Sequence, residues 1–154
     1  MDLNKVKYFY YDSPIGILEI GTKEDVLVSI CARGKVNNQE LDCFQKDIKK
    51  QLDEYFGGLR KKFEIKFEFK GTDFQKKVWM ELVKIPYGKT KSYIKIADSI
   101  GNKNAQRAVG TACNKNPILI LIPCHRVISK NGNFAGFVCG DEAKKFLLGL
   151  ENGN

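Results

Sequence analysis

Cys124 and His125 form the pair in this chain best suited to chemistry, a thiol and an imidazole side by side in an apolar segment. Pro117 to Ile122 lead into Pro123-Cys124-His125-Arg126, and Val127-Ile128 follow, so the pair should be largely buried. His125 is the only histidine in 154 residues, and any reaction that needs an imidazole must use it. A thiol attacks as its thiolate, which a neighbouring imidazole or positive charge favours. Adjacent side chains usually point different ways, so cooperation requires a bend in the chain or a bridging water. A carboxylate on the other ring nitrogen would fix the tautomer and complete a Cys-His-acid arrangement. A buried structural cysteine beside a hydrogen-bonded histidine is the bland alternative, and the bare pair does not separate the two.

Other chemistries find little support. Five cysteines, at 31, 43, 113, 124 and 139, form no CxxC pair, and the lone histidine has no metal-ligand spacing to any of them. No metal site is expected. With neither a GxGxxG nor a P-loop, no cofactor is expected either. No apolar run approaches the ~20 residues of a membrane span. The N-terminal Met-Asp-Leu-Asn-Lys has no apolar core of a secretory signal, so reduced thiols in the cytoplasm are the expectation. The charge is uneven: residues 1–70 hold 13 Lys/Arg and 12 Asp/Glu, whereas 71–154 hold 13 and 6. A one-sided basic charge suits a polyanion through counterion release, although a lysine-rich solvated surface would look the same.

The elements that must position the pair can be read along the chain. Lys7–Tyr11, Ile15–Ile20 and Val26–Cys31 are β-prone runs separated by turn residues, which predicts an antiparallel meander. From Asn38 to Phe56, Leu41, Phe44, Ile48, Leu52 and Tyr55 recur at helical steps, and Gly57-Gly58 ends the helix. Phe63 to Phe69 alternates strictly, as a further strand or an extended linker with one buried face. This first part, residues 1–69, carries no compact polar set and reads as scaffold.

Residues 70–154 turn helical. Thr72 or Asp73 can cap a helix with Phe74, Val78 and Leu82 on one face, ended by Ile85-Pro86-Tyr87-Gly88. Ser92 caps Tyr93–Ile100, with Ile94, Ala97 and Ile100 expected inward. Gly101-Asn102 turns into a second helix from Lys103 or Asn104 to Cys113, and the pair has the form of a helix-turn-helix. The second helix places Ala105, Ala108, Val109 and Ala112 on an apolar face and Arg107, Gly110, Thr111 and Asn114 on the other. Major-groove readers usually carry long polar side chains there. A slim face with one arginine instead suits a minor groove about 6 Å wide, or else close helix packing. Asn116-Pro117 breaks this helix, residues 129–140 form a loop, and Asp141–Leu150 form a last helix with Phe146, Leu147 and Leu150 for the core and Glu151 at its end.

Four segments together carry a resemblance: Ile85-Pro-Tyr-Gly-Lys-Thr-Lys-Ser-Tyr93, Arg107-Ala-Val-Gly110, Asn116-Pro117 and Ile122-Pro-Cys-His-Arg-Val127. In that order they resemble the O6-alkylguanine-DNA alkyltransferase family, specifically across about residues 70–151 and only in layout across 1–70. The resemblance implies an α+β fold: a ribonuclease H-like β-meander with a helix over 1–69, then a helical DNA-binding and alkyl-transfer domain over 70–154 containing the helix-turn-helix. It implies that Cys124 takes an alkyl group from O6-alkylguanine in double-stranded DNA, irreversibly and once per molecule. His125 would deprotonate Cys124 through water, Glu151 would orient His125, and Asn116 would brace the turn before the active site. Tyr93 would donate to guanine N3. The carbonyls of Cys124 and Val127 would accept from the guanine amino group, and the Val138 N–H would reach O6. Arg107 would enter the base stack in place of the flipped nucleotide, with Ala108, Gly110 and Thr111 on the DNA-facing helix. The same resemblance implies a monomer with no cofactor, no membrane and no obligate protein partner.

The substrate loop departs from the family pattern. Phe137 stands where tyrosine is common, and Val138-Cys139-Gly140 replaces smaller residues, which should narrow the pocket against adducts larger than methyl. Whether O4-methylthymine is also accepted stays open. Two competitors remain, a non-catalytic alkyltransferase-like DNA-damage-binding protein, in which the acceptor cysteine is replaced, and a cysteine hydrolase.

Overall fold

The computed structural model describes residues 5–36, 39–130 and 137–153. The chain forms two compact units, Met1–Phe69 and Lys70–Asn154. In the first, β1 (Lys7–Ser13), β2 (Gly16–Lys23) and β3 (Val26–Ala32) make an antiparallel sheet in sequence order. Glu24 and Asp25 close the β2–β3 hairpin with φ of 48° and 61°. Two successive left-handed residues are what a two-residue hairpin needs to match strand twist. Leu18, Ile20, Leu27 and Ile30 are buried to 0% exposure, with the inward face of α1 (Cys43–Phe56), Ile48, Leu52 and Tyr55, equally buried.

The helix starts later than its apolar period suggests. Asp42 accepts from the Gln45 N–H and Gln45 reaches back to the Asp42 N–H, a capping box that satisfies two donors left over at a helix start. Leu41 therefore precedes the helix, and Asn38 lies outside the described residues. Phe63–Phe69 is extended with one buried face, Ile65, and meets the sheet at a single parallel bridge from Phe67 to Leu27. It is thus the linker-like alternative, with the Leu27 N–H donating to the Lys66 carbonyl and the Glu68 N–H donating to the Leu27 carbonyl.

The second unit runs α2 (Asp73–Val83), β4 (Lys91–Ser92), α3 (Tyr93–Ser99), α4 (Gln106–Asn114), a single 3-10 turn (Cys124–Arg126), β5 (Val127–Ile128) and α5 (Asp141–Glu151). Thr72 caps α2 through a second capping box with Gln75. Val78, Trp79 and Leu82 form its buried face. The Trp79 indole N–H donates to the Ala112 carbonyl at 2.9 Å, which ties α2 to the last turn of α4. Gly101, at φ 80°, makes the turn from α3 to α4.

Three inward assignments fail, each for an apolar residue just outside the buried arc of a helix whose stripe is otherwise partly right, with Ala97, Val109, Ala112 and Leu147 buried as expected. In α3 the buried residues are Ile96 and Ala97, while Ile94 is 45% exposed. In α4, which begins only at Gln106, Ala108 is exposed and Cys113 takes its place inside. In α5, Phe146 is 41% exposed and Leu150 only partly buried, while Ala143, Lys144, Leu147 and Leu148 face the core. No helix among the described residues is long and apolar enough to cross a membrane.

Candidate active site

Cys124 is delivered by a tightly folded approach. Between α4 and the 3-10 turn the chain doubles back, with the Ile122 N–H donating to the Ile118 carbonyl at 3.0 Å and the Leu121 N–H to the Leu119 carbonyl at 2.9 Å. Ile120 takes φ 75°, a left-handed conformation that a β-branched residue adopts only when its surroundings over-determine it. Asn116 is the clamp. Its Oδ1 accepts from the Ile118 N–H at 2.9 Å, and its Nδ2 donates to the Ile122 carbonyl at 2.6 Å and to Cys124 Sγ at 3.1 Å. One amide thus shapes the turn and presents a donor to the sulfur.

Cys124 is 3% exposed. Burial pushes its thiol up to about 11, against the opposing pull of the Asn116 donor and the Lys144 charge. The resting group is therefore a protonated thiol, and reaction needs a base. His125, 0% exposed, supplies one. Its Nε2 lies 2.7 Å from Glu151 Oε2. Glu151 also accepts two guanidinium N–H bonds from Arg126, at 2.7 and 2.9 Å, and the Gly88 N–H at 3.3 Å. A carboxylate in that company is an acceptor, so Nε2 carries the proton and donates it. Burial holds the imidazole pKa down despite Glu151, which keeps the ring neutral. Nδ1 is then a lone pair, buried and without a hydrogen bond among the described residues.

Position follows from local pairing. The two-residue ladder of β4 with β5, Lys91 to Val127 and Ser92 to Ile128, sets the start of α3 beside the strand that leaves the Cys-His turn. Ser92 caps α3 by accepting from the Lys95 N–H at 3.1 Å, so Tyr93 is the first helical residue. Burial pushes the Tyr93 phenol up to about 12, and its hydroxyl is a donor at neutral pH. Tyr93, Arg107 and Gly110 line an open groove of about 430 Å³ together with Ile94, Asn114 and Lys130. A Cβ built on Gly110 would meet only the Tyr93 ring, at 3.8 Å, so helix packing does not require glycine there.

The structure brings together Cys124, His125, Glu151 and Asn116, and sets Tyr93, Arg107 and Gly110 on the adjoining groove. Ala108 and Thr111 are exposed on α4 outside that lining, Val127 is buried in β5, Phe137 packs its ring edge-on to His125 at 6.5 Å, and Val138 is 51% exposed. Residues 131–136 of the expected loop lie outside the described residues. Sequence reasoning missed two buried cations. Arg126 holds Glu151, donates to the Ile85 carbonyl at 2.7 Å and lies 5.8 Å over the Tyr87 ring. Lys144, fully buried, donates to the Val127 carbonyl at 2.5 Å and lies 5.8 Å from the Tyr93 ring centre. The signal existed: Lys144 shares a helical stripe with Leu147, Leu148 and Glu151.

Comparison with known proteins agrees in both halves. Residues 73–153 match the family model described as 6-O-methylguanine DNA methyltransferase, DNA binding domain, and 6–69 match its ribonuclease-like domain. The chain is 45% identical over 154 residues to the methylated-DNA–protein-cysteine methyltransferase of Methanosarcina acetivorans, covering 94% of this chain and 97% of that one. It is 40% identical to the Mycobacterium tuberculosis protein of the same name, covering 95% and 92%. The crystal structure of the M. tuberculosis O6-methylguanine methyltransferase superposes with a TM-score of 0.87 at 39% identity, covering 97% of this chain and 94% of that one. The structure of M. tuberculosis OGT in complex with DNA superposes with a TM-score of 0.83 at 40% identity, covering 95% and 92%.

Proposed function

Since the chain belongs to the 6-O-methylguanine DNA methyltransferase family, we propose how its own residues perform the family's reaction. The protein is a methylated-DNA–protein-cysteine methyltransferase that binds DNA and repairs alkylation damage. The observation that carries the residue assignment is the neutral His125, held through Nε2–H by Glu151 with its Nδ1 lone pair left for a proton.

In this reading Cys124 is the acceptor. His125 Nδ1 takes the thiol proton through one water, because the next residue's ring need not point at the sulfur. The Asn116 amide steadies the thiolate as it forms. Sulfur attacks the O6-alkyl carbon, the carbon–sulfur bond forms as the carbon–oxygen bond breaks, and the electron pair stays on O6. Tyr93 donates to N3 of the departing purine, so that guanine leaves without carrying full negative charge. The product is a thioether with no leaving group, so each molecule reacts once.

Delivery of the base uses the groove beside α4. Flipping a nucleotide costs a few kcal/mol, and Arg107 entering the vacated stack offsets part of it. Ala108, Gly110 and Thr111 give α4 a narrow outer face, which suits a minor groove. The Val127 carbonyl, which already accepts from Lys144, and the Cys124 carbonyl, which already accepts from the Val127 N–H, would each take the guanine amino group on a second lone pair. Phe137 and Val138 border the pocket. The reading includes double-stranded DNA as the substrate carrier, a monomer as the working form and a cytoplasmic location.

Incubation with a duplex carrying O6-methylguanine tests this directly. The intact protein should gain one methyl, on Cys124, and stop at one equivalent, while Cys124→Ser gains none. No gain in the unaltered protein would mean a damage binder, and continued turnover would mean a hydrolase.

A further inference from the structure

We propose that Tyr87 is a positioning residue for methyl transfer, its ring bracing Arg126 so that Glu151 stays aligned with His125. The need for a brace follows from where Glu151 sits. It is the last residue of α5, and the final carbonyls of a helix lack the intrahelical bonds that hold its middle turns. Its carboxylate nevertheless has a demanding task, since Oε2 must meet His125 Nε2 at 2.7 Å to fix the tautomer. The alignment has to come from outside the helix.

The turn at residues 85–88 supplies it. The Lys89 N–H closes that turn on the Pro86 carbonyl at 3.0 Å. Gly88 takes φ 77°, and a Cβ there would lie 3.2 Å from the Glu151 carbonyl oxygen, so the turn sits directly against the end of α5. Its groups converge on one ion pair. The Ile85 carbonyl accepts from Arg126 Nη1 at 2.7 Å, and the Gly88 N–H donates to Glu151 Oε1 at 3.3 Å. The centre of the Tyr87 ring lies 5.8 Å from the guanidinium carbon of Arg126. Arg126 in turn grips Glu151 through Nε and Nη2. A planar two-point grip sets the plane of a carboxylate as well as its position.

Tyr87 is the side-chain part of this brace, because Ile85 and Gly88 make their contacts with backbone atoms. It reaches the pair by its ring and by its hydroxyl. The hydroxyl donates to the Leu150 carbonyl at 3.4 Å, well beyond the usual ~2.7–2.8 Å between oxygens. The Gly153 N–H also serves that carbonyl, at 3.3 Å. The ring is the stronger contact, since a guanidinium within about 6 Å of an aromatic centre is attracted to its face. Tyr87 is partly exposed, so removing the ring does not empty a core. Nor does it line the groove beside α4, so its effect falls on the reaction step and not on DNA binding.

The brace stands on these contacts, whereas its effect on repair rests on His125 being the base. His125 is the only histidine, so its ring gives a single Nε2–H signal in heteronuclear NMR, which reports the bond to Glu151 directly. Tyr87→Leu and Tyr87→Met remove the aromatic ring, and Tyr87→Phe keeps it. Each is compared with the unaltered protein at a temperature where circular dichroism shows it folded. In the ringless variants the His125 signal should shift and exchange faster with water. Their single-turnover methyl transfer at saturating duplex should slow about tenfold, within the ~100-fold that a 1 Å misplacement can cost. The half-saturating DNA concentration should not change. Tyr87→Phe should match the unaltered protein in all three. The proposal is overturned if the ringless variants keep the His125 signal, if their DNA affinity falls in place of the rate, or if Tyr87→Phe fails as they do. A displaced His125 signal with unchanged rate and affinity would uphold the brace and refute His125 as the base.

Discussion

Burial governs the Cys124 thiol more strongly than any neighbour does, and its neighbours act as corrections to that. Withdrawing the Asn116 donor should therefore raise the thiol further: in Asn116→Ala, mass-resolved alkylation of Cys124 should show its ionisation midpoint above that of the unaltered protein. A midpoint unchanged or lowered would mean that the amide only shapes the turn. The imidazole responds in the opposite sense. Its folded pKa is depressed below the ordinary 6.5, so the unfolded chain binds the proton first as pH falls. His125 therefore stabilises the fold fully above about 6.5, and that contribution drains away as pH drops below it toward the lower folded value. Denaturant titrations at a series of acidic pH values should show this loss, and Glu151 variants should alter it. Glu151→Gln should be the costlier change. It leaves the Arg126 guanidinium buried opposite a neutral amide, and breaking a buried pair costs about 3–5 kcal/mol. It also removes the ionised acceptor that selects the His125 tautomer, so single-turnover methyl transfer should slow even where the protein remains folded. Loss of stability with an unchanged rate would reduce Glu151 to a structural anchor. In the turn before α5, Cys139→Gly should raise the rate on O6-benzylguanine relative to O6-methylguanine, and no gain on the larger adduct would refute a narrowed pocket.

At the scale of elements, α4 separates the demands of folding from those of binding. Gly110 costs a helix interior about 1 kcal/mol relative to alanine, and the structure leaves room for the missing methyl. Gly110→Ala should therefore raise the melting temperature while weakening binding to duplex DNA. If it destabilises the fold, or binds DNA as tightly as before, the slim face has another purpose. What was legible in the sequence follows the same division. Strands β1 to β3 were readable because turn residues punctuate them, and α1 and α2 because their apolar periods run for several turns. Ile94, Ala108 and Phe146 were misplaced because each is an apolar residue just outside the buried arc of its helix, and apolarity alone does not mark that edge. Within the site, Cys124 and His125 were visible as a pair, but Glu151, Asn116 and Tyr93 acquired roles only through family resemblance. Periodicity cannot show that residues 26 positions apart meet. Arg126 and Lys144 went unread because charged side chains are expected outside, and only their partners, Glu151 and the Val127 carbonyl, explain why these two are buried.

Across the whole molecule, charge is distributed so that one half of the chain can answer for DNA affinity. Residues 71–154 carry 13 basic against 6 acidic side chains, while 1–70 are nearly balanced. Each phosphate neutralised contributes about −0.9 to the slope of log affinity against log salt on duplex DNA. If the second half supplies those contacts, a Lys103→Glu and Lys115→Glu double variant, at exposed positions flanking α4, should bind more weakly and show a shallower slope. Lys61→Glu with Lys62→Glu makes the same change in net charge within the first half, and should leave the slope nearly as it was. Equal losses from both pairs would mean that net charge, not the placement of α4, sets the affinity. The comparison also separates affinity from chemistry, because neither pair is among the residues assigned to methyl transfer. At saturating DNA all these proteins should transfer the methyl group at one rate, and differ only in the concentration and salt at which saturation is reached.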